Sequence, residues 1–242
     1  MSANSPQWDQ SCDVLVVGSG AGAMTAALRA HDLGLQVQVV EKSDRFGGTS
    51  AISGGGIWIP CNHRIAAAGG QDSAEEAVRY IRAVTHDEID DGRIEAYVEH
   101  GHRAIEYLEQ HSRVRFEAQA AYADYYPEVD GGKPGFRSMD PLPFDARELG
   151  EEFQRLREPS PGTLMMGRMT MTMKEARVLL CRGPGWVGLT LRVRPIQPGP
   201  RQSRTRASFM VIVMRPPSGN GRTDGHARFG GVNRLAQNAP LQ

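Results

Sequence analysis

The six residues 18–23 have types and spacing suited to binding a pyrophosphate. They read Gly18-Ser19-Gly20-Ala21-Gly22-Ala23 and follow the pattern G-x-G-x-x-G/A. In this pattern the first glycine permits a tight turn, and the second lets the backbone approach a phosphate without a clashing Cβ. The alanine in the third small position allows close packing of a helix against a strand. Ordinary glycine-rich turns also meet the pattern, so its structural context decides its meaning.

The flanking segments provide that context. The apolar run Val14 to Val17 predicts a buried strand before the turn. Residues 23–33 have helical spacing and predict a helix that directs its free N–H groups at a phosphate, with Gly34 as the residue after its end. Residues 36–40 predict a second strand. Glu41 follows it, at about the spacing where a carboxylate accepts hydrogen bonds from a nucleotide ribose. The sequence therefore predicts a dinucleotide-binding unit.

A run of small and hydroxyl residues after the acid favours a flavin-adenine dinucleotide. Such a run lets the backbone lie beside a flat cofactor and supplies N–H and hydroxyl donors to its oxygens. A nicotinamide-dependent enzyme would normally continue into a loop and another crossover helix. The alternative, a surface loop, is disfavoured because Ile57, Trp58 and Ile59 follow directly and are of usually buried types. The predicted cofactor-binding residues in this run are Lys42, Ser43, Gly47, Gly48, Thr49, Ser50, Ser53, Gly54 and Gly55.

Residues 10 to 192 resemble the FAD-dependent 3-ketosteroid 1-dehydrogenases, within the fumarate reductase and succinate dehydrogenase flavoprotein superfamily. The resemblance is carried by the runs at 13–20, 41–42, 45–50 and 53–55. It implies a Rossmann-like three-layer α/β fold that binds FAD, a 3-ketosteroid substrate and an electron acceptor. Because the family's members are much longer, it also implies an incomplete FAD site. No histidine adjoins residues 48–50, where some superfamily members attach flavin covalently, so we expect FAD to bind non-covalently.

A second point of resemblance is the segment Asp124-Tyr125-Tyr126. In the ketosteroid dehydrogenases the first tyrosine of such a segment lines the active site and assists proton removal, a role that falls here on Tyr125. The implied reaction takes a proton from C2 and a hydride from C1 of the steroid, the latter to flavin N5. The resemblance assigns the principal base and the carbonyl-polarising groups to no residue of this chain. The alternative is that Tyr122, Tyr125 and Tyr126 are packing aromatics with satisfied hydroxyls.

Helices and loops fill the middle of the chain. Ser73 and Glu76 form a capping box that opens a helix through about Thr85. A second helix is predicted over residues 92–110 and a short strand over 114–116. Residues 120–162 are predicted to be an active-site loop region, in which residues 127–162 are rich in proline, glycine and charge and include an amphipathic piece at about 149–156. The methionines at 165–173 suit either a substrate pocket or gap-filling core, and we favour core.

Composition changes abruptly after residue 192. Residues 193–242 hold eight arginines, six prolines and a single acid, which predicts a disordered tail or an out-of-frame reading. A nucleic-acid partner is disfavoured because prolines interrupt the charges and aromatics are not interleaved. The expected organisation is a flexible N-terminus over 1–10, a partial FAD-binding domain over 11–192 and this tail.

Charge and cysteine usage narrow the remaining classes. The 28 basic and 28 acidic residues balance, so nothing favours polyanions. Cys12, Cys61 and Cys181 lack paired spacing, and His100 and His102 point to different helix faces, which disfavours zinc and disulfides. No signal peptide or membrane-spanning run is found, so we expect a cytoplasmic protein. Two classes stay open: an FAD oxidoreductase, with fumarate-reductase-like alkene reduction as its neighbour, and a non-catalytic FAD-fold remnant. We expect impaired or absent turnover from the 242 residues.

Overall fold

The computed structural model describes residues 10–161 and 233–234. Its strands and helices alternate at the start of the chain and are followed by a helical region and a second sheet. In chain order they are β1 (Val14–Val17), α1 (Ala21–Asp32), β2 (Val37–Glu41), α2 (Gly48–Ile52), β3 (Ile57–Trp58), α3 (Ala74–Thr85), α4 (Asp91–His111), β4 (Phe116–Ala118), β5 (Ser138–Pro141), a 3₁₀ segment (Ala146–Arg155) and β6 (Asn233–Arg234).

A parallel sheet contains the predicted dinucleotide-binding unit, but the prediction that its first strand is buried is wrong, since Leu15 is 57% and Val17 69% exposed. β1 and β2 pair in parallel, with Val14 opposite Val37 and Val17 opposite Val40, and α1 packs against both strands. β6 pairs in parallel with the other edge of β2. Its two residues belong to the tail predicted to be disordered, and the remainder of that tail lies outside the described residues. So do Cys181 and the methionines at 165–173.

The ends of α1 are set by the local sequence. The helix begins after Gly20, two residues earlier than predicted, and ends at Asp32. Gly34 has a φ of +81° and its N–H donates to the His31 carbonyl, while the next N–H reaches Ala30. This is the hydrogen-bond pattern of a helix that ends in a left-handed glycine. The predicted role of Gly34 is therefore confirmed.

The second sheet is antiparallel, in the order β3-β5-β4. Its central strand, β5, places Met139 opposite both Ile57 and Ala118. The prediction of a loop is wrong at β5, whereas the amphipathic piece predicted at about 149–156 overlaps the 3₁₀ segment. The sequence Ser-Met-Asp-Pro has no alternating apolar pattern, and the strand exists because partners on both sides supply its hydrogen bonds.

The two longer helices, α3 and α4, each begin at a residue whose side chain caps the first turn. The Ser73 hydroxyl accepts a hydrogen bond from the Glu76 N–H at 3.3 Å at the start of α3, as the capping box predicts. The Asp90 carboxylate does the same for the Arg93 N–H at the start of α4. β4 lies two residues later than predicted. Among the described residues no helix is long and apolar enough to cross a membrane, and no cluster of side chains is suited to a metal ion.

The apolar core lies between α1, α4 and the antiparallel sheet. Because Leu28 of α1 belongs to it while α1 also contacts β1 and β2, this helix lies between the two sheets. The predicted three-layer α/β fold is therefore confirmed. The buried members of the apolar core are Leu28, Ile59, Ile105, Leu108, Val114, Phe116 and Met139.

Candidate cofactor and substrate site

Glycines from two turns meet at the start of α1. Gly18, directly after β1, has a φ of +99°, a value that favours glycine, and its N–H donates to the Val40 carbonyl at 2.7 Å. Gly48 has a φ of +54°, and a Cβ placed on it would stand 3.1 Å from Cα of Gly20. The two turns are thus in close backbone contact beside the free N–H groups of α1. We call this pair of turns, residues 18–23 and 47–50, the cradle.

Ser19 connects the three parts of the predicted site. Its hydroxyl donates to Glu41 Oε2 at 2.5 Å and accepts from the Gly47 N–H at 2.9 Å. The other carboxylate oxygen of Glu41 accepts from the Ser43 N–H at 3.1 Å. Ser19 and Glu41 are both buried. One hydroxyl therefore fixes the acid at the end of β2 relative to both turns of the cradle.

Ser50 supplies a second link between the turns. Its hydroxyl accepts a hydrogen bond from the Ala21 N–H at 2.9 Å. This occupies one of the free donors at the start of α1 and leaves others available to an anion. The contact joins α2 to α1 directly.

The other predicted cofactor residues differ in exposure. Gly22, Lys42, Thr49, Ser53 and Gly54 lie at the surface, and Ala23 is half-buried in the first turn of α1. Gly55 is buried, with a φ of +77° and an N–H bonded to the Ser53 hydroxyl at 3.1 Å. The structure brings residues 18–23, 41–43 and 47–50 together, and residues 53–55 follow α2 directly.

Glu41 is expected to make unfolding depend on pH. Burial by itself raises the pKa of this carboxyl, but hydrogen bonds from Ser19 and from the backbone outweigh it and hold the pKa below its ordinary value. A depressed folded-state pKa contributes stability that is present at neutral pH and is lost as the pH falls through the unfolded and then the folded pKa. The urea stability of the unsubstituted chain should therefore fall more steeply below about pH 5 than that of Glu41→Gln. Equal slopes would contradict this assignment.

The tyrosine segment lies on a surface loop between β4 and β5. Asp124 is buried, whereas Tyr125 beside it is 84% exposed and Tyr126 is 55% exposed. The pKa of Tyr122 is raised, mainly by burial and further by its contact with the Tyr125 hydroxyl. Within the described part of the chain, Tyr125 is therefore not a packing aromatic.

A fully buried arginine holds this loop to the rest of the domain. Arg137 Nε and Nη2 donate to the two carboxylate oxygens of Asp72 at 3.0 and 2.8 Å. Its Nη1 donates to Asp124 Oδ2 at 2.9 Å and to the Gly131 carbonyl at 2.8 Å. The guanidinium carbon also lies 5.5 Å from the centre of the Trp58 ring. The loop is therefore anchored by a buried ion network.

Two carboxylates and one guanidinium leave a net negative charge in this network. Buried charge is tolerated when hydrogen bonds satisfy the remaining lone pairs. Four further N–H donors do so, within 3.0 Å of a carboxylate oxygen: those of Cys61 and Ser73 on Asp72, and those of the Trp58 indole and the Lys133 backbone on Asp124.

Trp58 joins the tyrosine loop to the glycine run. Its indole Nε1 donates to Asp124 Oδ1 at 2.7 Å. Its backbone carbonyl accepts from the Tyr97 hydroxyl. Trp58 lies three residues after Gly55, so the chain that leaves the predicted cofactor run is hydrogen-bonded to the segment that carries the predicted catalytic tyrosine.

Sequence reasoning did not single out Arg137 or Asp72. Neither belongs to a motif, and an arginine in a segment rich in proline, glycine and charge is usually exposed. The one available signal is Trp58, because tryptophan is a residue type that is usually buried, and it indicated that the chain enters the interior there. The partners of that tryptophan could not be read from the sequence.

Comparison with known proteins defines the class. Residues 13–211 match the family of FAD binding domains. Since this match covers most of the chain, the chain belongs to that family, and FAD is its cofactor. The close approach of Gly48 to Gly20 and the buried Glu41 fit such a cofactor, because glycines let the backbone come close to a pyrophosphate without a clashing Cβ.

Individual relatives narrow the class further. The chain is 45% identical over 175 residues to the 3-oxosteroid 1-dehydrogenase of Comamonas testosteroni, covering 72% of this chain and 30% of that protein. It is 39% identical over 164 residues to the 4-oxocyclohexanecarboxylate 2-dehydrogenase of Sinomonas cyclohexanicum, covering 67% and 27%. The predicted resemblance is therefore confirmed.

A solved structure agrees with these relatives. The 3-ketosteroid delta1-dehydrogenase of Sterolibacterium denitrificans, in complex with 1,4-androstadiene-3,17-dione, gives a TM-score of 0.68 at 45% identity, covering 76% of this chain and 35% of that chain. The chain spans about a third of the length of the proteins it matches.

Proposed function

We propose that this chain carries the FAD-binding part of an oxidoreductase that desaturates the carbon–carbon bond beside a ring ketone, with a 3-ketosteroid as substrate and C1–C2 as the bond. The observation that supports it most is the Trp58–Asp124 hydrogen bond, which ties the segment that carries the exposed Tyr125 to the strand that follows the glycine run. The names of the relatives supply the substrate class. An electron acceptor and a cytoplasmic location complete the proposal.

The residues that would hold FAD are those of the cradle and the run that follows. Backbone N–H groups at residues 18–23 would bind the pyrophosphate, and Glu41 would accept hydrogen bonds from the adenosine ribose. Residues 42–43, 47–50 and 53–55 would line the rest, without a covalent link. When bound, FAD supplies the acceptor for a hydride.

Tyr125 would assist removal of the proton next to the ketone. Its exposure makes the phenol oxygen accessible to a substrate, while the buried Asp124 restricts the backbone beside it. A proton would leave C2 for a base that this phenol assists, and a hydride would leave C1 for the bound FAD, so that two protons and two electrons in all are removed and a C1–C2 double bond forms.

Anaerobic flavin bleaching tests the proposed function. The purified chain, loaded with FAD, would be mixed with 4-androstene-3,17-dione, and the visible flavin absorbance followed in a single turnover. We expect the steroid to bleach the flavin only slowly, with slow formation of the 1,2-desaturated product, because the resemblance assigns the principal base to no residue of this chain. A second candidate follows from the Sinomonas relative: bleaching by 4-oxocyclohexanecarboxylate alone would assign a small ring ketone. If neither compound bleached the flavin and neither shifted its absorbance on binding, the proposal would be contradicted.

Tyr125→Phe is expected to slow flavin reduction at least about 100-fold, the lower end of the range for general acid–base catalysis. The matched control is Tyr126→Phe, which removes a hydroxyl from the neighbouring exposed tyrosine and should alter the rate less than about threefold. The rate of bleaching at saturating steroid is the measurement. Similar rates in both variants would rule out the assignment to Tyr125.

A further inference from the structure

Residues 155–158, which we call the strap, lie across the turn that precedes α2. The Phe46 N–H donates to the Arg155 carbonyl at 2.9 Å, and the Arg157 N–H donates to the Phe46 carbonyl at 2.8 Å. These bonds make a parallel bridge between Phe46 and Leu156. Two segments that are far apart in the sequence are thus joined through their backbones.

Side chains reinforce the bridge. Leu156 is buried, and a Cβ placed on Gly47 would stand 3.2 Å from Leu156 Cδ1. Arg45 Nη1 donates to the Leu156 carbonyl at 3.3 Å and lies 3.2 Å from the Glu158 carboxylate. The Arg45–Glu158 pair is exposed and contributes little, since solvent screens such pairs. The backbone bonds and Leu156 therefore account for most of the restraint on residues 45–47.

The restrained turn, residues 45–47, leads directly into the cradle and shares Gly47 with it. Gly47 carries the N–H that binds the Ser19 hydroxyl, and through it the turn is connected to Glu41. Gly48 is in close contact with Gly20. A displacement of Phe46 would therefore move the backbone that forms one side of the cradle.

We propose that the strap is a cofactor-positioning element, in which Leu156 and the backbone of Arg157 hold the turn at 45–47 in the geometry that binds FAD. A turn that is ordered in advance loses less conformational entropy on binding. This inference rests on the binding of FAD set out above. The strap lies in the region predicted to be an active-site loop, and its proposed role is in binding the cofactor.

A matched pair of substitutions at one position tests the backbone contact. Arg157 is exposed, and Arg157→Pro removes the N–H that bonds to Phe46 while keeping an extended chain. Arg157→Ala removes the same side chain and keeps the N–H. We expect Arg157→Pro to raise the FAD dissociation constant at least about tenfold and to speed amide hydrogen exchange at residues 45–51. Arg157→Ala should leave both values unchanged.

A second pair tests the side-chain contact. Leu156→Ala should weaken FAD binding and speed exchange at 45–51, whereas Leu108→Ala, an equally buried leucine in the main core, should lower the thermal midpoint without speeding exchange there selectively.

The proposal is overturned if Arg157→Pro and Leu156→Ala leave exchange at 45–51 unchanged, or if they speed it while the dissociation constant stays the same. If the unsubstituted chain bound no FAD, the proposed function would fail, and the exchange data would still decide whether the strap holds the turn.

Discussion

Arg137→Met is expected to lower the free energy of unfolding by about 3–5 kcal/mol, the cost of breaking a buried ion pair by removing one partner. The guanidinium is completely buried, and so are both carboxylates that it binds. Methionine has a similar length and no charge, so Asp72 and Asp124 would stay buried without their counter-ion. Chemical unfolding in urea, followed by circular dichroism at neutral pH, measures the effect.

Arg103→Met is the matched control for this substitution. Arg103 lies on α4, is 62% exposed, and pairs with Glu99 at 3.8 Å across one helical turn. Such a pair contributes little, so the change in stability should stay within about 0.5 kcal/mol. Arg137→Lys should fall between the two, because an ammonium keeps the charge but cannot make the bidentate contact with Asp72. If Arg137→Met cost no more than Arg103→Met, the ion network would not anchor the tyrosine loop.

Gly48→Ala is expected to weaken FAD binding at least about 100-fold, which corresponds to about 2.8 kcal/mol. The new Cβ would stand 3.1 Å from Cα and 3.2 Å from N of Gly20, both of them backbone atoms. Because neither atom can rotate away, the two turns of the cradle must separate, and the N–H groups aimed at the pyrophosphate would be displaced.

Gly34→Ala controls for backbone strain. Gly34 also has a positive φ, +81° against +54° for Gly48, but a Cβ there would meet nothing within 4 Å. Both alanines therefore carry a left-handed strain of about 1–2 kcal/mol, and Gly48→Ala alone forces the two turns of the cradle apart. Titration of each variant with FAD, monitored by flavin fluorescence, separates the two effects. Equal affinities in the two variants would show that the contact between the turns does not matter for binding.

The amino-terminal unit was predictable because its signals are local. β1, α1 and β2 follow from an apolar run, helical spacing and a glycine at each helix end, and each depends on residues close in the sequence. The predicted cofactor residues at 18–23, 41–43 and 47–50 rest on the same kind of local signal, together with a resemblance carried by short motifs. Roles that depend on a bound ligand, those of Glu41 and Tyr125 among them, stay predictions.

The second sheet contains a strand that no local sequence signal predicts. β5 has no pattern of its own and becomes a strand because β3 and β4 pair with both of its edges. The strap likewise has no motif. Its relation to Phe46 depends on two backbone hydrogen bonds between distant segments, and backbone bonds of this kind leave no mark on residue types.

The sequence by itself determined the cofactor class, since glycines at fixed spacing, a terminal acid and a small-residue run are required locally by the shape of FAD. Only the tertiary structure decided how the loop that carries Tyr125 is anchored. Burial of Arg137 between Asp72 and Asp124 depends on three segments meeting in space, and charge in a sequence does not reveal whether water or a counter-ion will solvate it. The cradle could be predicted because its chemistry depends on residues that are close in the sequence. The ion network that anchors the tyrosine loop could not be predicted, because its stability comes from contacts made only on folding.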